Sequence, residues 1–247
     1  MIVRKRIVPV LMTVMMALSA WPALPFGGGA VHADGNIGKI TVDGATYQFD
    51  NYDNLKNALK GMKNKRIKVE MLADWKDADS DLIVPEGSVT TLNMNAHTID
   101  RGLALKGDAR SGEVIWVQKG ASLTINGSGA DGAEKKAYLY TSTDTGKKPS
   151  ESSLAGSENK GLLAGGSSNT GAGGIHVSWN ATLLLNDVII AGCYSSHNGG
   201  GIYYESGGRL ELNRSEITGC LAKDFGGGLL ATGTGGNISL NQSVIDH

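Results

Sequence analysis

Apolar residues in the C-terminal half of the chain come in short alternating runs. Between Gly200 and Gly226 the runs are Ile202 and Tyr204, then Leu210 and Leu212, then Ser215 and Ile217. Spacing by two is the period of a strand with one face buried. Gly, Asn or Ser separates each run from the next. A helix of similar content would need about ten residues at period 3.6, and Gly199-Gly200-Gly201 would break it. The pattern predicts a unit of three short strands and no helix.

The unit repeats. Gly173-Gly174-Ile175 recurs as Gly200-Gly201-Ile202 and as Gly227-Gly228-Leu229, a step of 27 each time (200 − 173 and 227 − 200). An apolar-x-apolar-Asn motif runs beside it, as Leu183-Leu184-Leu185-Asn186, Leu210-Glu211-Leu212-Asn213 and Ile238-Ser239-Leu240-Asn241. Two degenerate copies lie upstream, Leu92-Asn93-Met94-Asn95 and Leu123-Thr124-Ile125-Asn126, so the Asn positions step by 31, 60, 27 and 28. The step of 60 equals two units, or one unit plus an insertion.

Three short strands cannot bury an apolar face alone, whereas stacked copies pair every strand in parallel with its equivalent about 4.8 Å away. Inward columns are then Ile175/Ile202/Leu229, Leu183/Leu210/Ile238, Leu185/Leu212/Leu240 and Ile190/Ile217/Ile245, all apolar. The outward column Leu184/Glu211/Ser239 is mixed, as a solvent-facing position should be. The expected fold is all-β: a right-handed parallel β-helix with three strands per coil.

Asn186, Asn213 and Asn241 fall at one corner of successive coils, where Asn tolerates left-handed backbone. Their stacked amides are expected to form a structural ladder. Asn213 and Asn241 also open sequons, as do Asn126, Asn180 and Asn237, which matter only in a glycosylating host. Cys193 and Cys220 obey the same period (220 − 193 = 27). Parallel side chains disfavour the disulfide dihedral, so two buried thiols are expected over a bridge.

The N-terminus reads as an export signal over 1–33. Arg4, Lys5 and Arg6 precede an apolar run from Ile7 to Phe26, with Val31-His32-Ala33 for cleavage. An uncleaved anchor is the rival, opposed by Pro9, Pro22, Pro25 and the Gly27-Gly28-Gly29 break. Residues 34–80 are expected to cap the stack, with a helix from Asp53 to about Met62 that turns Tyr52, Leu55, Ala58, Leu59 and Met62 to one side. Ile67 to Leu72 follows as an early strand. Coils occupy 81–247, with 130–168 as an inserted loop rich in Gly, Ser, Thr and Lys. The repeat stops mid-coil at Val244-Ile245-Asp246-His247, as expected of either a truncated open reading frame or a piece of a longer surface protein.

Composition narrows the function. Gly 36 against Pro 5, 6% aromatic residues and net charge −1 describe a turn-rich chain without a basic face for phosphates, so nucleic acid is excluded as a partner. Beyond the leader no second apolar stretch exists to insert into a membrane. Two cysteines make neither a zinc site nor a disulfide framework. Neither a metal nor a cofactor is expected.

On these residues the chain resembles the pectin-lyase-like β-helix proteins, in particular bacterial adhesin-like surface members. Leu82-Ile83-Val84-Pro85-Glu86-Gly87 through His97-Thr98-Ile99 looks like their opening coil. Gly199-Gly200-Gly201-Ile202 and Ile217-Thr218-Gly219-Cys220 resemble the Gly-Gly-Ala-Ile and Phe-x-x-Asn motifs of polymorphic outer-membrane proteins, with Gly for Ala, Ile for Phe and Cys for Asn. The resemblance spans roughly residues 45–247 and implies a secreted or cell-surface scaffold; it specifies activity poorly.

A hydrolase on this fold needs paired carboxylates. By column Asp187 meets Arg214 and Gln242, Glu205 meets Ser178, Glu211 meets Leu184, and Asp224 meets His197, so no two carboxylates coincide. The acidic run Asp74, Asp77, Asp79 and Asp81 lacks the Gly and distal Glu of a calcium loop. His197 near Asp224 is an acid–base candidate beside a simpler turn hydrogen bond. The favoured function is non-catalytic binding of a glycan or a host or matrix protein, with a polysaccharide lyase or glycoside hydrolase and a structural stalk as alternatives. The candidate binding residues are the outward column His176/Tyr203/Leu230 and nearby Trp179, whose rings suit a sugar face.

Overall fold

The computed structural model describes residues 35–76, 80–104, 112–130, 132–141 and 149–246. The expected leader over 1–33 lies outside the described residues, as do Asp77 and Asp79 of the acidic run. Short strands make up about half of the described chain, with one helix, Tyr52–Lys60.

One circuit shows the plan. From Gly200 the chain forms Ile202–Tyr204, then Arg209–Asn213, Glu216–Thr218 and Leu221–Ala222, before reaching Leu229–Ala231. These strands join a five-stranded, an eight-stranded, a six-stranded and a three-stranded sheet in turn. Within each sheet, strands of successive circuits pair in parallel. Ile115, Ile175, Ile202 and Leu229 stand in register. So do Ile125, Leu185, Leu212 and Leu240, and likewise Leu163, Ile190, Ile217 and Ile245. Asn186 pairs directly with Asn126, so the step of 60 is one circuit plus an insertion.

The core is the stack of these inward columns. Leu183, Leu210, Leu185, Leu212, Ile190 and Ile217 are fully buried. Their counterparts Ile238, Leu240 and Ile245, on which no described circuit is stacked, are 39–46% exposed. Each circuit therefore receives much of its burial from its neighbour rather than from itself. The Gly-Gly pairs permit the close approach: a Cβ on Gly201 would lie 2.5 Å from the Gly228 carbonyl oxygen and 2.6 Å from Ile217 Cγ2.

A polar ladder runs beside the apolar columns. Asn126 Nδ2 donates to Asn93 Oδ1 (2.9 Å), Asn186 to Asn126 (3.0 Å), Asn213 to Asn186 (2.9 Å) and Asn241 to Asn213 (2.8 Å). The left-handed residue of this corner is not the Asn, as expected, but the one after it: Asp187, Arg214 and Gln242 have φ of 55°, 48° and 49°. Each Asn is the last residue of its strand, and its side chain is committed to the ladder. Asp187 and Arg214 then face one another, with Arg214 Nε donating to Asp187 Oδ1 and Nη2 to Oδ2, both at 2.8 Å.

Other expectations shift. The ladder passes through Asn93, not Asn95: Leu92 pairs with Ile125, and Thr90 takes the place opposite Leu123. A slip of two keeps every side chain on its face, so alternation alone cannot detect it. Asn95 instead has φ 51° and donates to the Met71 carbonyl at 2.8 Å. Three circuits carry a fourth, two-residue strand: Ser167–Ser168, Tyr194–Ser195 and Leu221–Ala222. The helix is capped by Asn51, whose side chain accepts from the Asn54 amide at 2.9 Å, while Asp53 lies in the first turn and pairs with Lys56. The early strand is Arg66–Met71.

The first edge of the eight-stranded sheet is closed by Gly38–Val42, antiparallel to Arg66–Met71, and then by Ala45–Phe49. The segment expected as a loop over 130–168 contains an antiparallel hairpin, Lys135–Leu139 with Ser150–Leu154. The same segment also holds Gly161–Ala164, which pairs in parallel with Val188–Ala191 and belongs to the stack. Ala137, Leu139 and Leu154 of the hairpin pack on Leu162, Ala164, Ile189 and Ala191 of the six-stranded sheet. That contact explains why both of those strands are apolar on both faces. Cys193 and Cys220 are free, buried thiols. Their mutual hydrogen bond, with burial next, raises the pKa of Cys193 well above the ordinary thiol value.

Leu212→Ala is expected to cost about 2–5 kcal/mol, and Asn213→Ala about 1–3 kcal/mol because it strands an acceptor on Asn186 and a donor on Asn241. Ser239→Ala, on the outward face, should stay within about 0.5 kcal/mol. Urea denaturation of the three variants checks the order.

Candidate functional site

The five-stranded sheet presents one outward residue per strand, and these stand in register as Ile83, Trp116, His176, Tyr203 and Leu230. Parallel pairing stacks the rings. Trp116 and His176 have centroids 6.1 Å apart and planes 12° apart, and His176 and Tyr203 are 5.3 Å apart at 36°.

In four circuits the chain leaves this sheet through a tight corner whose third residue is left-handed: Gly87 (φ 67°), Gly120 (φ 66°), Asn180 (φ 56°) and Gly207 (φ 90°). The residue before it is buried as Ser206 in one circuit but exposed as Glu86, Lys119 and Trp179 in the other three; the aromatic one is Trp179. Its side chain is exposed, at 55%. Its backbone is held, because the amide donates to Glu205 Oε2 at 2.9 Å. Beside it, Trp116 Nε1 donates to Ser178 Oγ at 2.9 Å.

Two adjoining pockets follow this corner along the stack. One, of about 290 Å3, is lined by Lys119, Ser178, Trp179, Asn180 and Glu205. The other, of about 250 Å3, is lined by Trp116, Gln118, Lys119, Ser178 and the Lys63–Glu86 ion pair. They share Lys119 and Ser178, so together they form a shallow groove crossing several circuits. The Lys119 ammonium has no partner among the described residues.

Behind the stacked rings lies a charged cluster. His176 Nε2 donates to Glu205 Oε1 at 3.1 Å, and Nδ1 lies 3.7 Å from Glu113 Oε1. Ser168 Oγ donates to the same Glu113 oxygen at 3.5 Å. Arg101, buried to 2%, donates through Nη1 to Asp81 Oδ1 at 2.7 Å and to the Glu113 carbonyl. Burial, and then the Glu113 charge, push the Asp81 pKa up to about 6 against the opposing Arg101. Burial also acts to raise Glu113, but contact with His176 holds it below the ordinary carboxylate range. Burial would lower His176, yet its contacts with Glu113 and Glu205 raise it above 6.5. Asp81 and Glu113 thus share protons as a pair.

The structure brings His176 and Tyr203 into one column and sets Trp179 at its edge. Leu230 stands in register with Tyr203, and none of His176, Tyr203 and Leu230 lines either pocket; of the four expected binding residues only Trp179 does. His197 meets Asp224 at 3.2 Å, with both side chains about half exposed and no enclosing wall to sharpen their chemistry. Asp74 of the acidic run binds His97 at 3.3 Å and the Thr98 amide at 2.9 Å, which makes it a turn residue. Among the described residues no group of three or more His, Cys, Asp or Glu side chains could hold a metal ion, and no helix is long and apolar enough to cross a membrane.

Sequence reasoning missed Glu113, Arg101 and the approach of Asp81 to Glu113. They lie in corners and loops outside the 27-residue columns, where equivalence cannot be counted. The signal available was Trp116, three residues after Glu113, in register with His176.

The chain matches no family model, no curated protein and no solved structure.

Because the folded pKa of Asp81 is raised, its protonated form favours the fold below its ordinary pKa, and that contribution is lost as pH rises through about 6. Asp81→Asn cannot ionise. Its stability relative to the parent should therefore rise between about pH 4 and pH 6, measured by urea denaturation across that range.

Proposed function

We propose that the chain is an exported, right-handed parallel β-helix scaffold of the pectin-lyase-like kind, adhesin-like and non-catalytic, that binds a glycan along the corner of its five-stranded sheet. Right-handedness rests on a general rule: parallel strands joined by crossovers in one sheet twist that way in about 98% of cases. The observation that carries the binding reading is Trp179. An exposed indole on a fixed backbone costs little entropy to immobilise, and Trp116, Ser178, Lys119 and Asn180 beside it supply apolar and polar contacts for a sugar's face and hydroxyls. A solenoid repeats such positions along its axis, which suits an extended ligand. Export is supported by the leader pattern, and membership of a larger surface assembly by the same resemblance. A host or matrix protein is the competing partner.

A second reading, glycoside hydrolysis, draws on the proton-sharing Asp81–Glu113 pair, since a carboxylic acid with a raised pKa is what a general acid requires. Glu113 is buried, however, and Asp81 is tied to Arg101.

Glycan-array binding followed by titration calorimetry tests the proposal. Trp179→Ala should weaken the best ligand about tenfold or more, equivalent to ~1.4 kcal/mol, while Leu230→Ala leaves it nearly unchanged. Equal affinity of parent and Trp179→Ala would refute the site. Release of reducing sugar or of an unsaturated product from the same panel, abolished in Glu113→Gln, would replace binding with catalysis.

A further inference from the structure

We infer that His176 is a positioning residue: clamped between Glu113 and Glu205, it orders the carboxylate that fixes Trp179, and so makes the indole platform respond to protons. This rests on the glycan-binding reading of the Trp179 corner for its consequence, though not for its geometry.

The chain of contacts is short. Glu205 has two oxygens and two tasks: Oε1 accepts from His176 Nε2 at 3.1 Å, and Oε2 accepts from the Trp179 amide at 2.9 Å. A carboxylate held at both oxygens is fixed in rotation, so the two hydrogen bonds support each other. Glu113, reaching from the loop before Ile115–Val117, faces the other side of the imidazole at 3.7 Å. The rings of Trp116 and Tyr203 confine it from the neighbouring circuits. Asp81 and Arg101 stand behind Glu113, and Lys119 shares the outer pocket with Glu205. A doubly protonated imidazole therefore bridges two glutamates, one on each ring nitrogen.

Deprotonation removes that arrangement. A neutral imidazole has one N–H and one lone pair, so it can donate to only one of the two glutamates, and the other faces a lone pair. Two carboxylates then remain beside an uncharged ring, and the tautomer that keeps its proton on Nδ1, toward Glu113, leaves Glu205 Oε1 without a donor and free to turn toward solvent or Lys119. The Trp179 amide loses its fixed acceptor, and the indole loses its pre-ordering. His176 is raised above its ordinary value, so the ordered state is complete below about pH 6.5 and is lost as pH rises through the elevated pKa. His176 does not touch the ligand in this scheme; it acts through Glu205.

The test follows the Trp179 backbone amide by heteronuclear NMR from about pH 5.5 to pH 9, with no ligand present. In the parent the resonance should move with a single midpoint above about pH 6.5, coincident with the His176 ring titration. His176→Gln, which cannot titrate, should abolish that midpoint. Glu205→Gln keeps an acceptor for the amide but carries no charge, so it should hold the folded-state shift at low pH and remove the transition. Glu205→Ala should lose the shift at every pH. A parent amide that does not respond, or one that titrates equally in His176→Gln, overturns the inference.

Ligand binding is a separate readout. Affinity for the best glycan should fall at least about threefold from pH 6 to pH 8.5 in the parent and stay flat in Glu205→Gln. Titration of the amide with no glycan bound at any pH would overturn the ligand assignment while supporting the clamp.

Discussion

The whole arrangement depends on parallel backbone pairing between residues one circuit apart. A three-residue strand has too little surface to stay folded, and none of the described circuits owns a closed core. Pairing supplies both at once: hydrogen bonds along the sheet, and a neighbouring copy of the same apolar side chain above and below. The contrast between fully buried Leu185 and Leu212 and exposed Leu240, three members of one column, displays this dependence directly. It also explains the Gly-Gly pairs. A Cβ at Gly201 would hold adjacent circuits apart at the point where backbone meets backbone.

The same constraint creates the site. Parallel register turns equivalence in sequence into adjacency in space, so outward residues of the five-stranded sheet become a column of rings without any long-range design. At the corner that follows, Trp179 stands exposed beside the left-handed Asn180. Charged groups enter where the repeat is interrupted. Asp81, Arg101 and Glu113 belong to the irregular circuits before Gly173, and Glu113 reaches His176 from outside the column. A regular scaffold thus carries its chemistry at its irregularities, with His176 as the link between the two.

Much of the architecture was legible because a 27-residue period is unambiguous where it is strict. The columns through Ile202, Leu210, Leu212 and Ile217 read directly from spacing and stand in register in the structure. Where the period loosens, reading fails for definite reasons. Asn93 and Asn95 each directly follow an apolar residue, Leu92 and Met94, and only backbone pairing decides that Asn93 joins the ladder. Asp187 and Arg214, not the Asn residues, take the left-handed conformation, because a ladder Asn is already committed to its neighbours. Gly161–Ala164 was hidden inside a polar segment, and its apolar outer face makes sense only once the hairpin that covers it is known. His176 and Trp179 were found by column and proximity, whereas Glu113 follows no column and could not be.

Spin labels placed on the outward face at Thr91 and Ser239, in a background with Cys193 and Cys220 replaced by Ala, test the stacking most directly. Thr91, Thr124, Leu184, Glu211 and Ser239 form one outward column of the eight-stranded sheet. Four inter-strand steps predict a narrow distance distribution near about 19 Å between the backbone sites, despite the long stretch of chain between them. A broad distribution, or a mean beyond about 35 Å, would contradict the account.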